Sequence, residues 1–341
     1  MKKYKLTNET IVHFGFTLYR IEALMDFSDV KTGDKGGFVQ SENNLSHKGD
    51  CWVYGNAKVY GNAKVYDNAE VYDNSEVCGN AEVCGDAEVC VDAKVRGNAS
   101  VCGNASVYGN AEVFDYAKVY NNAKVCGNAS VFCDAKVYGN AVVYFHAKVC
   151  GDAEVYGKAE VYGKAEVYDN AKVYGNAMVY GDAEVYNYAE VYGYAEVYDN
   201  SEVCGNSEVC NYAEVYGYAE VYDNSEVCGN SEVCNYAEVY GNAEVRDYVK
   251  VRGDAKVYGK AEVRGDAKVY KNSDYIVFKN WWSSGRYFTW TRSNNMFKVG
   301  CFYGKGEELI KKAYADSEES GREYERVVRY VESILADELN K

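Results

Sequence analysis

From Val53 the chain runs on a fixed six-residue beat of apolar and polar positions. It reads VYGNAK, VYGNAK, VYDNAE, VYDNSE, VCGNAE and continues without a gap to Val269-Tyr-Lys-Asn-Ser-Asp274, making 37 hexads in 222 residues. The first position is Val in every hexad, the fifth is Ala in 30 and Ser or Val in the other seven, and the sixth is usually Glu or Lys. The triplet Ala, Lys/Glu, Val has the small-in, charged-out, branched-in order of a short strand. Gly, Asn and Asp dominate the third and fourth positions, and they tolerate left-handed backbone, so this pair predicts a turn. A strand and a corner every six residues predict a polygon rather than a flat sheet. With three hexads per turn the coil is a triangle of 18 residues, and 37 hexads make about 12 coils. At a strand spacing of ~4.8 Å the shaft would be roughly 60 Å long.

The flanks carry no hexads. Residues 1–48 predict an N-terminal cap, with a strand at 16–21 and a loop at 31–37. After the β-helix (49–274), residues 275–341 predict a small α+β module. Its strands fall at 275–278, 286–291 and 296–302, and its helices near 306–317 and 321–339. The second helix carries an apolar stripe of Val327, Tyr330, Val331, Ile334 and Leu335. A solenoid leaves an unpaired edge and an open core at each end, so caps are a physical requirement. Residues 275–341 read first as a cap only; the alternative is a small binding module, because their length with Trp281, Trp282 and Trp290 exceeds what capping alone needs, and those tryptophans are then the candidates for a binding surface.

The pattern resembles the hexapeptide-repeat left-handed β-helix superfamily, whose motif places an aliphatic residue four positions before a small one. It is most similar to Tyr-rich bacterial and prophage members of the YdcK-like type, often labelled acyltransferases. The words Leu24-Met-Asp-Phe-Ser-Asp-Val30, Gly36-Gly-Phe-Val-Gln-Ser-Glu42, Asn44-Leu-Ser46 and Gly49-Asp-Cys-Trp-Val53 carry the same likeness into the N-terminal flank. The resemblance implies an all-β solenoid with left-handed coiling, which breaks the usual crossover rule. It also implies acyl transfer from acyl-CoA by trimers with a His base at a subunit interface.

Composition sharpens this picture. There are 36 Tyr, 32 Gly, 13 Cys and no Pro. No N-terminal apolar stretch resembles a signal peptide, and no run approaches the ~18 apolar residues of a membrane span. Thirteen cysteines that never form a CxxC pair predict reduced thiols in a cytoplasmic protein, with no metal site. Of the formal charge of −15, the hexads hold 19 Lys+Arg against 35 Asp+Glu, so the acidity belongs to the repeat.

Position two holds Tyr 21 times, Cys 10, Arg 4 and Phe 2. Residues 18 apart should stack, so Tyr144, Tyr162, Tyr180, Tyr198 and Tyr216 predict an outward aromatic ladder, a sticky edge if not a purely structural one. Position six is Glu in eleven consecutive hexads: Glu184, Glu190, Glu196, Glu202, Glu208, Glu214, Glu220, Glu226, Glu232, Glu238 and Glu244. No Lys or Arg lies between Lys172 and Arg246. With Asp182, Asp199 and Asp223 this is about one charge per 1.2 Å of shaft, against one per ~1.7 Å for duplex DNA. Stacked like charges repel, so bound cations, raised carboxyl pKa values or a basic partner should offset them. The readings are a solubilising face, a decoy for a nucleic-acid-binding host protein, or cation binding. Residues 187–209 recur at 211–233, and a 24-residue step is not a whole number of coils, which argues against a shaped pocket there.

Only three His occur, and only His146 lies in the shaft, in Val143-Tyr-Phe-His-Ala-Lys148. A neutral imidazole there could act as a base, but no insertion loop interrupts the hexads to build an acceptor pocket. The expectation is therefore a non-catalytic, acidic rod that binds a host protein, touches neither nucleic acid nor membrane directly, and could self-associate. It needs no cofactor. The alternative is an acyl-CoA-dependent acyltransferase using His146.

Overall fold

The computed structural model describes residues 2–339. By internal contacts the chain forms two compact units, Met1–Asn200 and Ser201–Lys341. Each contains parallel β-solenoid coils of 18 residues. Lys58–Val59 pairs in parallel register with Glu76–Val77 in the first unit, and Glu202–Val203 with Glu220–Val221 in the second. Most coil strands are two residues long, the sixth and first positions of successive hexads; Glu214–Gly217 and Glu232–Asn235 extend to four. Val and Ala point inward, so that Val155, Ala159 and Val161 have no exposed surface.

The corner is narrower than the sequence suggested. Only the third position is left-handed, with φ of 74° at Gly157, 58° at Asp169 and 65° at Val91. That geometry holds from Gly55 to Gly265. At Lys271 the third position becomes extended (φ −153°) and the chain leaves the coil through a short 3-10 turn at Asn272–Asp274.

In the first unit, strands Tyr4–His13 and Phe16–Ala23 form an antiparallel hairpin. Lys35–Val39 pairs antiparallel with the second of these and parallel with Lys58–Val59, joining hairpin to solenoid. The expected loop at 31–37 therefore ends early, and Tyr4–His13 is a strand the sequence reading missed. Gly36 is required by this junction, because a Cβ there would lie 2.5 Å from the Val53 carbonyl oxygen. Buried Lys3 caps the first coil, its Nζ donating to the carbonyl oxygens of Cys51 (2.7 Å) and Gly49 (3.1 Å).

In the second unit the last coil meets a four-stranded antiparallel sheet: Tyr275–Lys279, Tyr287–Thr291, Met296–Val299 and Phe302–Gly304. The single strand expected at 296–302 is split by a turn at left-handed Gly300. Helices Gly306–Asp316 and Glu318–Leu339 follow. They pack on Phe288, Trp290 and Phe297 through Leu309, Ile310, Ala313, Tyr324, Val328 and Val331. Tyr330, placed on the buried stripe by sequence, is exposed instead, and Tyr324 and Val328 take its place. Three backbone N–H groups of the last coils, one on each face, donate to side chains of the module or its lead-in: Lys256 to Asn272 Oδ1 (2.8 Å), Glu262 to Thr289 Oγ1 (2.8 Å) and Lys268 to Ser293 Oγ (2.6 Å). Among the described residues no helix is long and apolar enough to cross a membrane.

Candidate functional site

The eleven glutamates occupy strand positions facing outward, shared over three faces. In the second unit Glu202, Glu220 and Glu238 align on one face. Glu208, Glu226 and Glu244 align on the next, and Glu214 with Glu232 on the third. Like charges therefore stack at strand spacing, ~4.8 Å.

Part of the offset comes from the chain itself. Lys256 Nζ lies 2.6 Å from Glu238, Arg264 lies 3.0 Å from Glu244, and Lys250 and Arg252 both bond Glu232. Arg246 bridges Glu226 and Glu244. In the first unit Lys172 bonds Glu190 at 3.0 Å. Burial pushes the carboxyl pKa of Glu220 up, with Glu202 and Glu238 adding to it, and burial likewise raises that of Glu226. Glu232 goes the other way: despite burial, its bonds to Lys250 and Arg252 hold it below the usual range. Of the three anticipated offsets the raised carboxyls are in place at Glu220 and Glu226, and the chain's own lysines and arginines from the next coils add a fourth that the sequence reading did not include.

The tyrosine ladder differs from expectation in its chemistry. In the first unit Tyr144, Tyr162, Tyr180 and Tyr198 stack with centroids 4.8–4.9 Å apart. Tyr216, the fifth rung expected, belongs to the second unit. The rings are half-buried, and their hydroxyls donate to the glutamate 16 residues on: Tyr138 to Glu154 (2.8 Å), Tyr168 to Glu184 (2.7 Å), Tyr180 to Glu196 (2.9 Å). Burial, then the bonded carboxylate, raises the pKa of Tyr138 and Tyr174. Position two is thus a brace for position six.

Most of the solvent-facing coil aromatics are fourth-position tyrosines, which the sequence reading missed: Tyr116, Tyr188 and Tyr194 in the first unit, Tyr212, Tyr218, Tyr236 and Tyr248 in the second; Phe145 and the position-two Tyr258 and Tyr270 are exposed as well. Tyr218 and Tyr236 stack at 5.2 Å while 55% and 61% exposed. The words NYAE and GYAE, replacing GNAE, were the available signal.

His146 is exposed and lines a groove of about 380 Å³ with Lys148, Lys164, Glu166, Asp182 and Glu184. Lys148 is held by Glu166 at 2.6 Å and Lys164 by Asp182 at 3.4 Å. With Glu184 the lining carries three carboxylates against two lysines, each lysine already beside one of them, which disfavours the phosphates of an acyl-CoA.

Of the three tryptophans, Trp290 is fully buried, its Nε1 donating to Asn295 Oδ1 (2.8 Å). Trp282 packs edge-on to Tyr324. Only Trp281, 70% exposed at the hairpin tip, remains a candidate for binding; the other two build the module's core.

The expectation of thirteen free thiols is corrected. Cys84–Cys102 and Cys210–Cys228 are disulfides, each with Cα atoms 4.7 Å apart and a sequence separation of 18. Stacking in adjacent coils brings position-two cysteines within bonding range, a pairing that a search for CxxC cannot find. The expectation of no metal site also meets a counter-observation: Cys210, Glu226 and Cys228 place one ligand atom each within 4.8 Å of one another.

No protein-family model matches the chain, and no curated protein matches it either. What stands is the parallel β-solenoid with its acidic coils, its tyrosine corners and its C-terminal module.

Proposed function

We propose that this chain is a non-catalytic binding rod of the hexapeptide-repeat type, whose acidic, tyrosine-edged coils engage a basic partner protein. The observation that carries the reading is the conjunction, within the second unit, of the eight outward glutamates from Glu202 to Glu244 with the exposed corner tyrosines Tyr212, Tyr218, Tyr236 and Tyr248. Arginine suits such a surface better than lysine, because its guanidinium pairs with carboxylates and also stacks on aromatic faces. A nucleic-acid-binding protein of the host is the partner class that meets both conditions, with the rod standing in for a polyanion. A phage-type, host-directed role in the cytoplasm accords with the resemblance, and self-association is the competing use of the same surface.

The test compares an arginine-rich with a lysine-rich peptide of equal charge. Binding should favour the arginine peptide and weaken steeply with salt. It should also fall when Glu202, Glu208, Glu214 and Glu220 become Gln together. Binding unchanged by that replacement would remove the electrostatic argument.

A second reading, acyl transfer from acyl-CoA to a small molecule, has the groove at His146 in its favour and the occupied lysines against it. Transfer by the purified chain that is lost in His146→Ala would displace the binding-rod reading.

A further inference from the structure

The two disulfides occupy equivalent places in their coils, yet their surroundings differ. At Cys102 the side chain two residues earlier is Ser100, its Oγ 3.2 Å from the sulfur. At Cys228 the same place is held by Glu226, whose Oε1 lies 3.0 Å from the sulfur. The other oxygen of that carboxylate, Oε2, is taken by Arg246 from the next coil. Cys210 and Cys228 are both buried. One pair is therefore a plain cross-link, whereas the other sits beside a carboxylate that is oriented by an arginine and has one oxygen turned toward the sulfur.

We propose that Cys210, Cys228 and Glu226 form a redox-gated site for a thiophilic divalent cation such as Zn²⁺, closed while the disulfide stands and open once it is reduced. The opening step is ordinary exchange: two equivalents of a thiol reductant give up two electrons and two protons, the S–S bond breaks, and the reductant leaves as its own disulfide. The cation then displaces both thiol protons and is held by two thiolates and Glu226 Oε1, with water completing a tetrahedron. At Zn–S distances of ~2.3 Å a tetrahedral ion needs its two sulfurs about 3.8 Å apart, which side chains on strands ~4.8 Å apart reach by rotation about χ1. Two thiolates match the charge of a divalent ion, while Glu226 keeps its pairing with Arg246, which also bonds Glu244. Arg246 plays the orienting part that outer partners play for metal-bound carboxylates.

The full chain is reduced with an excess of thiol, freed of reductant under argon, and titrated with Cd²⁺ as a probe whose thiolate charge-transfer band reports sulfur ligation. Zn²⁺ uptake is measured in parallel by equilibrium dialysis. The expected result is a single tight ion per chain that is lost in Cys210→Ser and Cys228→Ser and kept in Cys84→Ser. Glu226→Gln should weaken binding roughly tenfold or more. Air-oxidised protein should take up none at this site. Uptake that survives Cys210→Ser, disappears with Cys84→Ser or ignores Glu226→Gln overturns the proposal, as does a pair that cannot be reduced while the chain stays folded. Glu226→Gln leaves both sulfurs in place, so it remains decisive if a serine variant fails to fold.

Discussion

Glu220 offers a direct measure of what the stacked carboxylates cost. It stands between Glu202 and Glu238 on one face, and Glu238 is already bonded by Lys256 at 2.6 Å. Two unit charges ~4.8 Å apart repel by about 0.9 kcal/mol in water, and physiological salt reduces this to about 0.5 kcal/mol. Because Lys256 largely cancels Glu238, the repulsion is chiefly that of Glu202. Glu220→Gln should therefore raise stability at neutral pH by about 0.5 kcal/mol, within the range of exposed charge pairs. The pH dependence has a definite sign. Burial and then the neighbouring carboxylates raise the Glu220 pKa in the folded chain. A carboxyl raised in this way favours folding fully below its unfolded value, and that contribution is lost as pH rises through the folded one. The advantage of the Gln variant should thus shrink on acidification and vanish below the ordinary glutamate range, about pH 4. Urea unfolding of the two proteins at matched pH, in low and high salt, supplies the comparison. An advantage that persists in acid would mean that strand preference rather than charge is responsible, and one that persists in high salt at neutral pH would assign it to burial of the carboxylate rather than to its neighbours; either result would end the account by repulsion within these columns.

Three further outcomes follow from the geometry. Gly205 and Gly259 are both left-handed, but a Cβ on Gly205 would lie 2.6 Å from the Asp223 carbonyl oxygen while Gly259 faces open space. Gly259→Ala should cost about 1 kcal/mol from backbone conformation alone, and Gly205→Ala clearly more; equal losses on thermal unfolding would show that the close approach is harmless. Tyr138→Phe keeps stacking at 4.9 Å on Tyr120 and Tyr156 but removes the hydroxyl bonded to Glu154, so a loss of about 0.5–1.5 kcal/mol is expected. Tyr138→Ala should cost more, and equal losses from the two would leave the ring without a role. Trp290→Ala should destabilise the C-terminal module by about 3–5 kcal/mol, whereas Trp281→Ala should leave melting unchanged, both read by near-ultraviolet circular dichroism.

The solenoid was legible because its core repeats: Val at position one and Ala at position five need no long-range information to be assigned inward. The 18-residue coil followed once strand and corner were recognised. Relations between coils were harder to read. The bond from Tyr138 to Glu154 and the Cys210–Cys228 link each join residues a coil apart, and spacing within a hexad says nothing of them. Tyr188 and Tyr218 were overlooked because position four was read as turn chemistry, although only position three needs a left-handed backbone. Trp290 and Trp281 have equal claims in the sequence. The fold separates them, since one faces the helices and the other caps a hairpin.

The acceptors offered to Lys256, Glu262 and Lys268 bear on whether further coils can be added at that end of the solenoid. A parallel stack is its own template, and any bare final layer invites another copy to continue it into a fibre. An amide oxygen and two hydroxyls satisfy the donors without presenting a strand in return, so the C-terminal module acts as a stop codon written in hydrogen bonds.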